Sequence, residues 1–413
     1  MHVIACRWDE VALRSMLSIP GVEVTLVMDE WEFANRRLAP ELLERVRAQH
    51  VVPSFTDLGA LSALAAALGR QEPAVGAVFS LAEYSQLGAA YLAQALGLAE
   101  PEVRTSIRVR DKAAMKAAAV AAGVPCARQR VVEDRSAAGL DRIGAELGWP
   151  LVLKPLDGMG TVDTWVVTDS DEAANRLLNA PETLMIAEEY VRGEEFHVDA
   201  VWIEGEAMDF SVGRYPVPRV QIVDPGHLNG SGMLREAEHE RFYSELRDLS
   251  ARVNAAIGVH TGITHTEFFL TEAGSWVFSE VATRPGGGAI PEMFAYFGDD
   301  LRSRWLLSVL GRGGDVRRDE QGSPVFGWGN YAPSAVGRVS REPDEAALRS
   351  LPFVVDVKPG HRVGDTVHAV FPSLWSWQVV FGADTWEEFL ERMVEVERHV
   401  SFELEPAGGD AGA

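Results

Sequence analysis

Short apolar runs alternate with amphipathic segments over the first part of the chain. Residues 22–29 and 74–80 are rich in β-branched and apolar side chains and predict strands, whereas residues 41–49 and 58–68 predict helices. Alternating strands and helices are typical of a parallel α/β unit. We therefore predict an N-terminal α/β domain over residues 1–105.

The next part of the chain combines helices with apolar strands. Residues 111–122 predict an Ala-rich helix that ends at Gly123. An apolar strand then enters a glycine-containing loop at residues 157–161, and a helix over 171–179 and a further strand follow. We predict that residues 106–195 form a second unit.

Strand-like patterns return after this unit and surround a long helix. A polar stretch with Pro and Gly at residues 215–232 predicts a loop or lid, and residues 236–257 predict a long helix. Two β-rich runs on either side of residues 272–275 predict a hairpin. This third unit is predicted to cover residues 196–311.

The last part of the chain has shorter apolar runs separated by turn residues. A helix is predicted over residues 385–397, and residues 312–405 are predicted to form a small closing α/β module. Residues 406–413 are rich in Gly and Ala, so we expect them to be frayed.

Composition restricts the class of protein. The 413 residues with 47% hydrophobic content are sufficient for several cores, and the net charge of -23 opposes binding to nucleic acid or anionic membranes. The widely separated Cys6 and Cys126 favour a reducing compartment. The sequence begins without a basic, apolar leader, and no stretch of about 18 apolar residues occurs. We expect a cytoplasmic protein without nucleic-acid or membrane partners.

Two glutamates lie on the two arms of the predicted hairpin. Glu267 and Glu280 can face each other across the strands and hold one or two divalent cations against phosphate oxygens. Two glutamates on a hairpin are more often a solvated face. Glu280 is followed by Thr-Arg-Pro-Gly-Gly-Gly at 283–288, where an arginine can pair with phosphate or carboxylate and glycine amides can approach an anion.

A lysine and a glycine-containing loop occur together upstream. Lys154 ends an apolar strand, where it is either a charge in water or a phosphate ligand. The amides of residues 157–161 can fold over phosphates, although an ordinary turn is equally compatible with this short sequence.

The ordered set of these residues resembles the ATP-grasp superfamily, and within it the L-amino-acid ligase group, which forms dipeptides. The resemblance covers residues 103–310 and is carried in chain order by Lys112, Lys154 with its glycine loop, the acidic run 188–195, Glu267, and Glu280 with Arg-Pro-Gly-Gly-Gly. It implies an α/β protein of the ATP-grasp fold, with an N-terminal Rossmann-like domain, a two-lobed ATP-binding region and a small C-terminal α/β module.

The resemblance also implies roles for individual residues. The residues implied to bind ATP are Lys112, Lys154, Gly158, Met159, Gly160, Thr161, Glu188, Glu189, Tyr190, Val191 and Glu195. The implied ligands of Mg²⁺, or of Mn²⁺ in its place, are Glu267 and Glu280. The residues implied to meet the acyl phosphate and the substrate are Arg284, Gly286, Gly287 and Gly288. The implied catalytic residues are Arg284, His265 and Lys154, although a histidine satisfied on a strand is nearly as common as a ligand.

One position departs from the pattern of the superfamily. Relatives usually have an asparagine two residues after the second metal glutamate, and this chain has Ala282. Whether Ala282 weakens metal binding is open at this point.

The resemblance implies a ligase that activates a carboxylate as an acyl phosphate and couples it to an amine, giving ADP and phosphate. Two alternatives stay open: another acyl-phosphate enzyme, such as a carboxylase or an acyl-carrier or thiol ligase, and a non-catalytic nucleotide-binding protein. The expected partners are a small-molecule carboxylate and amine, and a homodimer is possible. Trp328, Trp375 and Trp377 are compatible with a pocket wall, but aromatic residues in short strands are more often core.

Overall fold

A computed structural model describes most of the chain. The described residues are 1–36, 38–80, 82–180, 182–222, 228–290, 301–309, 311, 323–370 and 374–406. The predicted loop at 215–232 and the predicted frayed end at 406–413 include residues 223–227 and 407–413, which lie outside these ranges. No helix within the described ranges is both long enough and apolar enough to cross a bilayer.

The N-terminal region is a parallel α/β unit, as predicted. Its four-stranded sheet has the order β3-β2-β1-β4 and comprises β1 (His2–Cys6), β2 (Glu23–Asp29), β3 (Ala48–Val52) and β4 (Val75–Ser80). The accompanying helices are α1 (Glu10–Ser18), α2 (Glu30–Asn35), α3 (Pro40–Leu43), α4 (Leu58–Leu68) and α5 (Gln86–Ala95). Buried apolar side chains on both sheet faces pack against these helices.

The helix predicted over residues 41–49 is wrong in its second half. Helix α3 ends at Leu43, and Ala48–Val52 forms the edge strand β3, which pairs in parallel with β2. The partner strand decides the conformation of this short segment, because its local pattern fits either a strand or a helix.

A small antiparallel lobe follows the N-terminal unit. Helices α6 (Val103–Arg110) and α7 (Lys112–Ala121) lead into it, and Asp111 caps α7 by accepting hydrogen bonds from the backbone N–H groups of Ala113 and Ala114. The sheet order is β5-β8-β6-β7, with β5 (Gln129–Val131), β6 (Leu151–Pro155), β7 (Trp165–Val167) and β8 (Met185–Glu189). Helices α8 (Ala137–Leu147) and α9 (Ser170–Leu178) contribute to its core. The helices predicted at 111–122 and 171–179 are therefore present within one residue.

The largest element is an eight-stranded antiparallel sheet with the order β13-β12-β9-β10-β11-β14-β18-β16. Its strands are β9 (Gly193–Ile203), β10 (Glu206–Arg214), β11 (Gly230–Leu234), β12 (Gly262–Thr271), β13 (Trp276–Ala282), β14 (Val325–Tyr331), β16 (Val354–Lys358) and β18 (Trp377–Ala383). The predicted hairpin is formed by β12 and β13. The sheet includes strands on both sides of the predicted unit boundary at 311/312. Strand β11 begins at Gly230, so it includes the last residues of the stretch predicted as a loop at 215–232.

Helices cover this sheet, and a small sheet completes the described fold. The helices are α10 (Glu240–Ile257), α11 (Leu301–Val309), α12 (Glu345–Arg349) and α13 (Trp386–His399). The small three-stranded sheet has the order β17-β15-β19, with β15 (Gly337–Arg341), β17 (Thr366–Val367) and β19 (Glu403–Glu405). The predicted start of the long helix at 236 is wrong. Residues Glu236–Glu238 form a separate 3-10 turn, and α10 begins at Glu240 because His239 has a non-helical backbone with φ of -135°.

Candidate active site

Two adjoining clefts meet at the β12–β13 hairpin. The lysine cleft, named for Lys112, Lys116 and Lys154, lies between the small lobe and the large sheet and has a volume of about 800 Å³. The tryptophan cleft, named for Trp8, Trp31, Trp328 and Trp375, lies between the N-terminal unit and the large sheet and has a volume of about 2660 Å³. The residues that line both clefts are Met159, Gly160, Thr161, Arg219, Glu267 and Glu280.

A cluster of lysines and carboxylates forms the wall of the lysine cleft. Lys116 Nζ and Lys154 Nζ lie 3.0 and 3.1 Å from Glu188 Oε2. Lys112 Nζ and Lys154 Nζ lie 3.4 and 3.8 Å from Glu280 Oε2. Burial favours the neutral acid, but the charges of the lysines outweigh it and lower the pKa of Glu280 to about 2. This carboxylate is therefore charged at neutral pH.

Lys116 belongs to this cluster and was missed in the sequence. It lies one helical turn after Lys112 on α7, so both side chains lie on the same face. The chain contains only four lysines among its 38 basic residues, and three of them line this cleft. The fourth, Lys358, lines the tryptophan cleft. Lysine is rare in this chain and arginine is abundant, so each lysine is a candidate for a specific role. This feature of the sequence could have identified Lys116.

The two predicted metal ligands are cross-strand partners. Glu267 on β12 pairs with Glu280 on β13, and a bulge follows Glu267. Both glutamates line both clefts. Carboxylate oxygens on adjacent strands are the hard ligands that Mg²⁺ prefers, so the donor set fits a divalent cation. Ala282 also lines the tryptophan cleft, on the same strand as Glu280.

His265 is held in a buried chain of hydrogen bonds. Its Nδ1 lies 2.9 Å from Asp199 Oδ1, and its Nε2 lies 3.3 Å from Tyr215 Oη and 3.5 Å from Glu267 Oε1. His197 Nδ1 lies 2.6 Å from the other carboxylate oxygen of Asp199. Burial alone would lower the pKa of His265, but the Asp199 carboxylate outweighs it and raises the pKa to about 9. His265 therefore presents a charged ring to the hairpin carboxylates.

The partners of His265 come from distant parts of the chain. Asp199 lies on β9 and Tyr215 follows β10, and neither was predicted. The Tyr215 hydroxyl donates a hydrogen bond to Glu267 Oε1 at 3.1 Å. His197 and Asp199 are two residues apart on β9, so both side chains lie on one face of the sheet. This spacing is the only local sequence pattern that points to the partners of His265.

Glu195 lies at the far side of the lysine cleft. Its Oε2 accepts a hydrogen bond from the backbone N–H of Arg219 at 2.5 Å. Burial and the nearby charge of Glu267 raise the pKa of Glu195 to about 8. Without a bound cation, this carboxyl group is therefore mainly protonated at neutral pH.

Residues 188–191, which the resemblance implies bind ATP, line the lysine cleft, but their side chains face different directions. Glu188 lies inside with the lysines, and its Oε1 has no hydrogen-bond partner among the described residues. Glu189 faces outward and accepts hydrogen bonds from Arg128, at 2.7 Å from Nε. The Tyr190 hydroxyl accepts a hydrogen bond from Gln221 at 2.6 Å.

The glycine-containing loop lies between the two clefts. The Gly158 carbonyl accepts a hydrogen bond of 2.6 Å from Lys112 Nζ. Thr161 and Asp163 have positive φ angles of 59° and 52°, which are unusual for residues with a side chain. Met159 at the loop tip is 42% exposed. The loop therefore combines strained backbone with an exposed apolar side chain at the entrance of both clefts.

Arg284 lies in the tryptophan cleft, where it is paired with a carboxylate that was not predicted. Its Nε donates to Glu83 Oε2 at 2.6 Å, and Arg110 Nη1 donates to Glu83 Oε1 at 2.8 Å. Glu83 follows β4 in the N-terminal unit, far from Arg284 in sequence. The guanidinium is thereby fixed in orientation at the edge of the cleft.

The glycines after Arg284 are explained by close packing. A Cβ at Gly286 would lie 2.7 Å from Asp199 Oδ1, and a Cβ at Gly288 would lie 2.2 Å from the Trp328 ring. Gly288 also has a φ of +64°. Gly287 has the most room, since its Cβ would lie 3.8 Å from Trp375. These glycines allow the loop to pack against the histidine chain and the tryptophans.

The three tryptophans of the C-terminal part have different environments. Trp328 and Trp375 line the tryptophan cleft with ring centroids 5.5 Å apart. Trp377 is fully buried in the main core. Trp328 is also a core residue with 1% of its surface exposed, so of these three tryptophans Trp375, at 40% exposure, alone presents an exposed ring to the cleft.

Residues 147–292 match the family model of the ATP-grasp domain. Over these residues the chain is similar to that family, and the predicted fold class is confirmed. An L-amino acid ligase structure from Bacillus licheniformis has the same fold, with a TM-score of 0.79, 18% identity and coverage of 98% of both chains.

Two curated relatives are similar over part of their length. An L-arginine-specific L-amino acid ligase of Bacillus subtilis is 30% identical over 257 residues, which cover 59% of this chain and 59% of the relative. An alanine–anticapsin ligase of Bacillus subtilis (strain 168) is 29% identical over 253 residues, which cover 54% of this chain and 51% of the relative. The chain thus spans between half and three fifths of these two relatives.

Proposed function

We propose that this protein is an ATP-dependent ligase that activates the carboxylate of an amino acid as an acyl phosphate and couples it to an amine. The observation that carries the proposal is the junction of the two clefts. There, Glu267 and Glu280 face both cavities, with lysines on one side and Arg284 and His265 on the other. A phosphoryl group at this junction would be in reach of a substrate in the second cleft.

ATP fits the lysine cleft by its chemistry. Its phosphates would meet Lys112, Lys154 and the loop at Gly158–Thr161, and we add Lys116 to this group. The predicted ribose contact is Glu195, and the predicted adenine contacts are the backbone groups of Glu188, Glu189, Tyr190 and Val191.

Glu267 and Glu280 would hold Mg²⁺, which neutralises phosphate charge when bound. Glu280 is already ionised because of the lysines, so it needs no deprotonation before binding a cation. Without the cation, these carboxylates repel the phosphates. The residues therefore require a cation beside the nucleotide.

The proposed reaction has two steps. A substrate carboxylate oxygen attacks the γ-phosphorus of ATP, the bond to the β-phosphate oxygen breaks, and ADP leaves. The amine nitrogen then attacks the acyl carbon and phosphate leaves with the electron pair of the C–O bond. Positioning and charge neutralisation supply most of the catalysis, so no side-chain nucleophile is required.

The chain provides fixed charges for both steps. His265, held by Asp199, lies beside Glu267 and can donate a hydrogen bond to an oxygen of the transferred group. Arg284, held by Glu83, is oriented to neutralise the substrate carboxylate or the acyl phosphate. The glycine loop, which lines both clefts, is placed to exclude water from the acyl phosphate.

The names of the relatives support an amino acid as the carboxylate substrate, because both curated relatives are described as ligases of amino acids. The test is to incubate the protein with ATP, Mg²⁺ and mixtures of amino acids, and to measure ADP, phosphate and the mass of new products. We expect equal amounts of ADP, phosphate and an amide product. ATP turnover without any amide, or no turnover with any mixture, contradicts the proposal.

A further inference from the structure

A third cavity lies behind the two clefts and shares no lining residue with them. It has a volume of about 1070 Å³ and lies between β4, the start of α6 and the start of β12. Its inner wall is mainly apolar and includes the buried side chains of Phe79, Val259, Ile263 and Trp305. The proposed ligase reaction does not use this cavity.

One polar side chain in the wall has no partner. Gln86, the first residue of α5, is 1% exposed, and neither Nε2 nor Oε1 has a hydrogen-bond partner among the described residues. Leaving a buried amide unpaired costs about 1–3 kcal/mol. Unpaired buried groups are rare in native proteins, so this amide is expected to meet a ligand or ordered water in the cavity.

The charge of the wall limits the ligand. Glu100 is the only ionisable side chain in the described lining, and it is exposed at the mouth beside Ala99. Among the described lining residues, no lysine, arginine or histidine is present to balance an anion, and no acidic group lies in the inner part to balance a cation. The inner wall is therefore suited to an uncharged molecule.

The amide of Gln86 defines the polar group that would bind. It offers one acceptor and two donors in one plane, which match a ligand that carries a carbonyl and an N–H side by side. We propose that this cavity binds a small uncharged molecule with an apolar body and one primary amide or lactam group, which pairs with Gln86.

The test uses three probes of similar size and different charge, namely benzamide, benzoate and benzylamine. Each is titrated into the full chain at neutral pH, and binding is measured by ligand-observed NMR. We expect saturable binding of benzamide and at least tenfold weaker binding of the two charged probes. No binding of benzamide up to its solubility limit overturns the proposal, and the cavity then holds only water.

Three variants test whether benzamide binds in this cavity and pairs with Gln86. Gln86→Met keeps the length of the side chain and removes the amide, so benzamide affinity should fall at least tenfold. Gln378→Met is the matched control, because Gln378 is also buried and has an unpaired Oε1 but does not line this cavity. Ala99→Trp, an exposed position at the mouth, should block entry without altering the core.

These experiments test the cavity proposal independently of the proposed ligase activity. Benzamide binding is measured without ATP or amino acids, so it does not depend on turnover. Equal benzamide affinity in the wild type and the Gln86→Met variant overturns the assignment of Gln86. If Gln86→Met does not fold, Ala99→Trp decides, and unchanged affinity in that variant overturns the proposal.

Discussion

The lysine cleft and the tryptophan cleft share a wall but are assembled in different ways. In the lysine cleft, the charged groups come from short motifs and are neutralised by each other, as in the pairs of Lys116 and Lys154 with Glu188. In the tryptophan cleft, the charged groups are fixed by partners from other units, as Arg284 is by Glu83. The first cleft is therefore built largely from local motifs, and the second from contacts between distant parts of the chain.

This difference suggests a division of roles. Phosphates need cations and backbone amides at fixed spacing, which a strand, a loop and a hairpin supply locally. A substrate side chain needs shape, which the tryptophan cleft obtains from Trp8 and Trp31 in one unit and Trp328 and Trp375 in another. We therefore expect substitutions in the first cleft to affect ATP and those in the second to affect the amino acid.

The largest expected effect is at the wall that the clefts share. Glu280→Gln removes a charge between the lysines and the proposed cation without changing side-chain volume, so kcat should fall by about 10³-fold. The measurement is ADP release at saturating ATP and Mg²⁺, with circular dichroism as a check on the fold. Glu272→Gln, on the exposed turn of the same hairpin, is the control and should keep normal turnover. Near-normal turnover in Glu280→Gln would remove Glu280 from the proposed metal site.

The next effect separates the two clefts by using two lysines. Lys154→Met should lower kcat/KM for ATP by about 100-fold, because a cation with only 11% of its side chain exposed is lost beside the proposed phosphate site. Lys358→Met is the matched substitution in the tryptophan cleft and should leave the KM for ATP unchanged. Steady-state kinetics with varied ATP measure both effects. Equal effects of the two variants on the KM for ATP would contradict the assignment of ATP to the lysine cleft and of the amino acid to the tryptophan cleft.

A smaller effect is expected from the wall of the second cleft. Trp375→Ala should raise the KM for the amino acid by about tenfold, or about 1.4 kcal/mol, and leave the KM for ATP unchanged. Phe33→Ala is the control, because Phe33 is an exposed aromatic residue that lines neither cleft. Kinetics with each substrate varied in turn measure the effect. A change in the KM for ATP alone would contradict the assignment of Trp375 to the substrate.

The smallest effect concerns the departure at Ala282. We expect the position to hold a water in place of an asparagine oxygen, which Mg²⁺ tolerates because it usually retains several waters. Ala282→Asn should therefore lower the half-saturating Mg²⁺ concentration by a few-fold, since residue 282 lies on the same strand as Glu280 and both line the tryptophan cleft. A Mg²⁺ titration at fixed ATP measures the shift. An unchanged Mg²⁺ dependence in a folded, active variant would mean that residue 282 does not face the cation.

The sequence was sufficient for most of the fold, because apolar periodicity and turn residues are local. The hairpin of β12 and β13 and the helix α4 were predicted with nearly correct bounds. The strand Ala48–Val52 was missed, since its conformation depends on pairing with β2, which lies elsewhere in the sequence. The continuation of the large sheet into β14 was missed for the same reason.

The candidate site was predicted unevenly for a related reason. Residues in motifs, such as Lys112 and Glu267, line the clefts, and their binding roles stay predictions. Glu83 and Asp199 were missed, because their partners Arg284 and His265 are separated from them by 201 and 66 positions. No local pattern encodes such contacts, so only the folded structure brings them together.

The transfer of carboxylate oxygen to phosphate tests the central proposal most directly. The protein is incubated with ATP, Mg²⁺ and amino acids that carry ¹⁸O in their carboxyl groups, and the released phosphate is analysed by mass spectrometry. The proposed acyl phosphate requires that one ¹⁸O atom appears in each phosphate, together with ADP and an amide product. Unlabelled phosphate, or release of AMP and pyrophosphate in place of ADP, would contradict it.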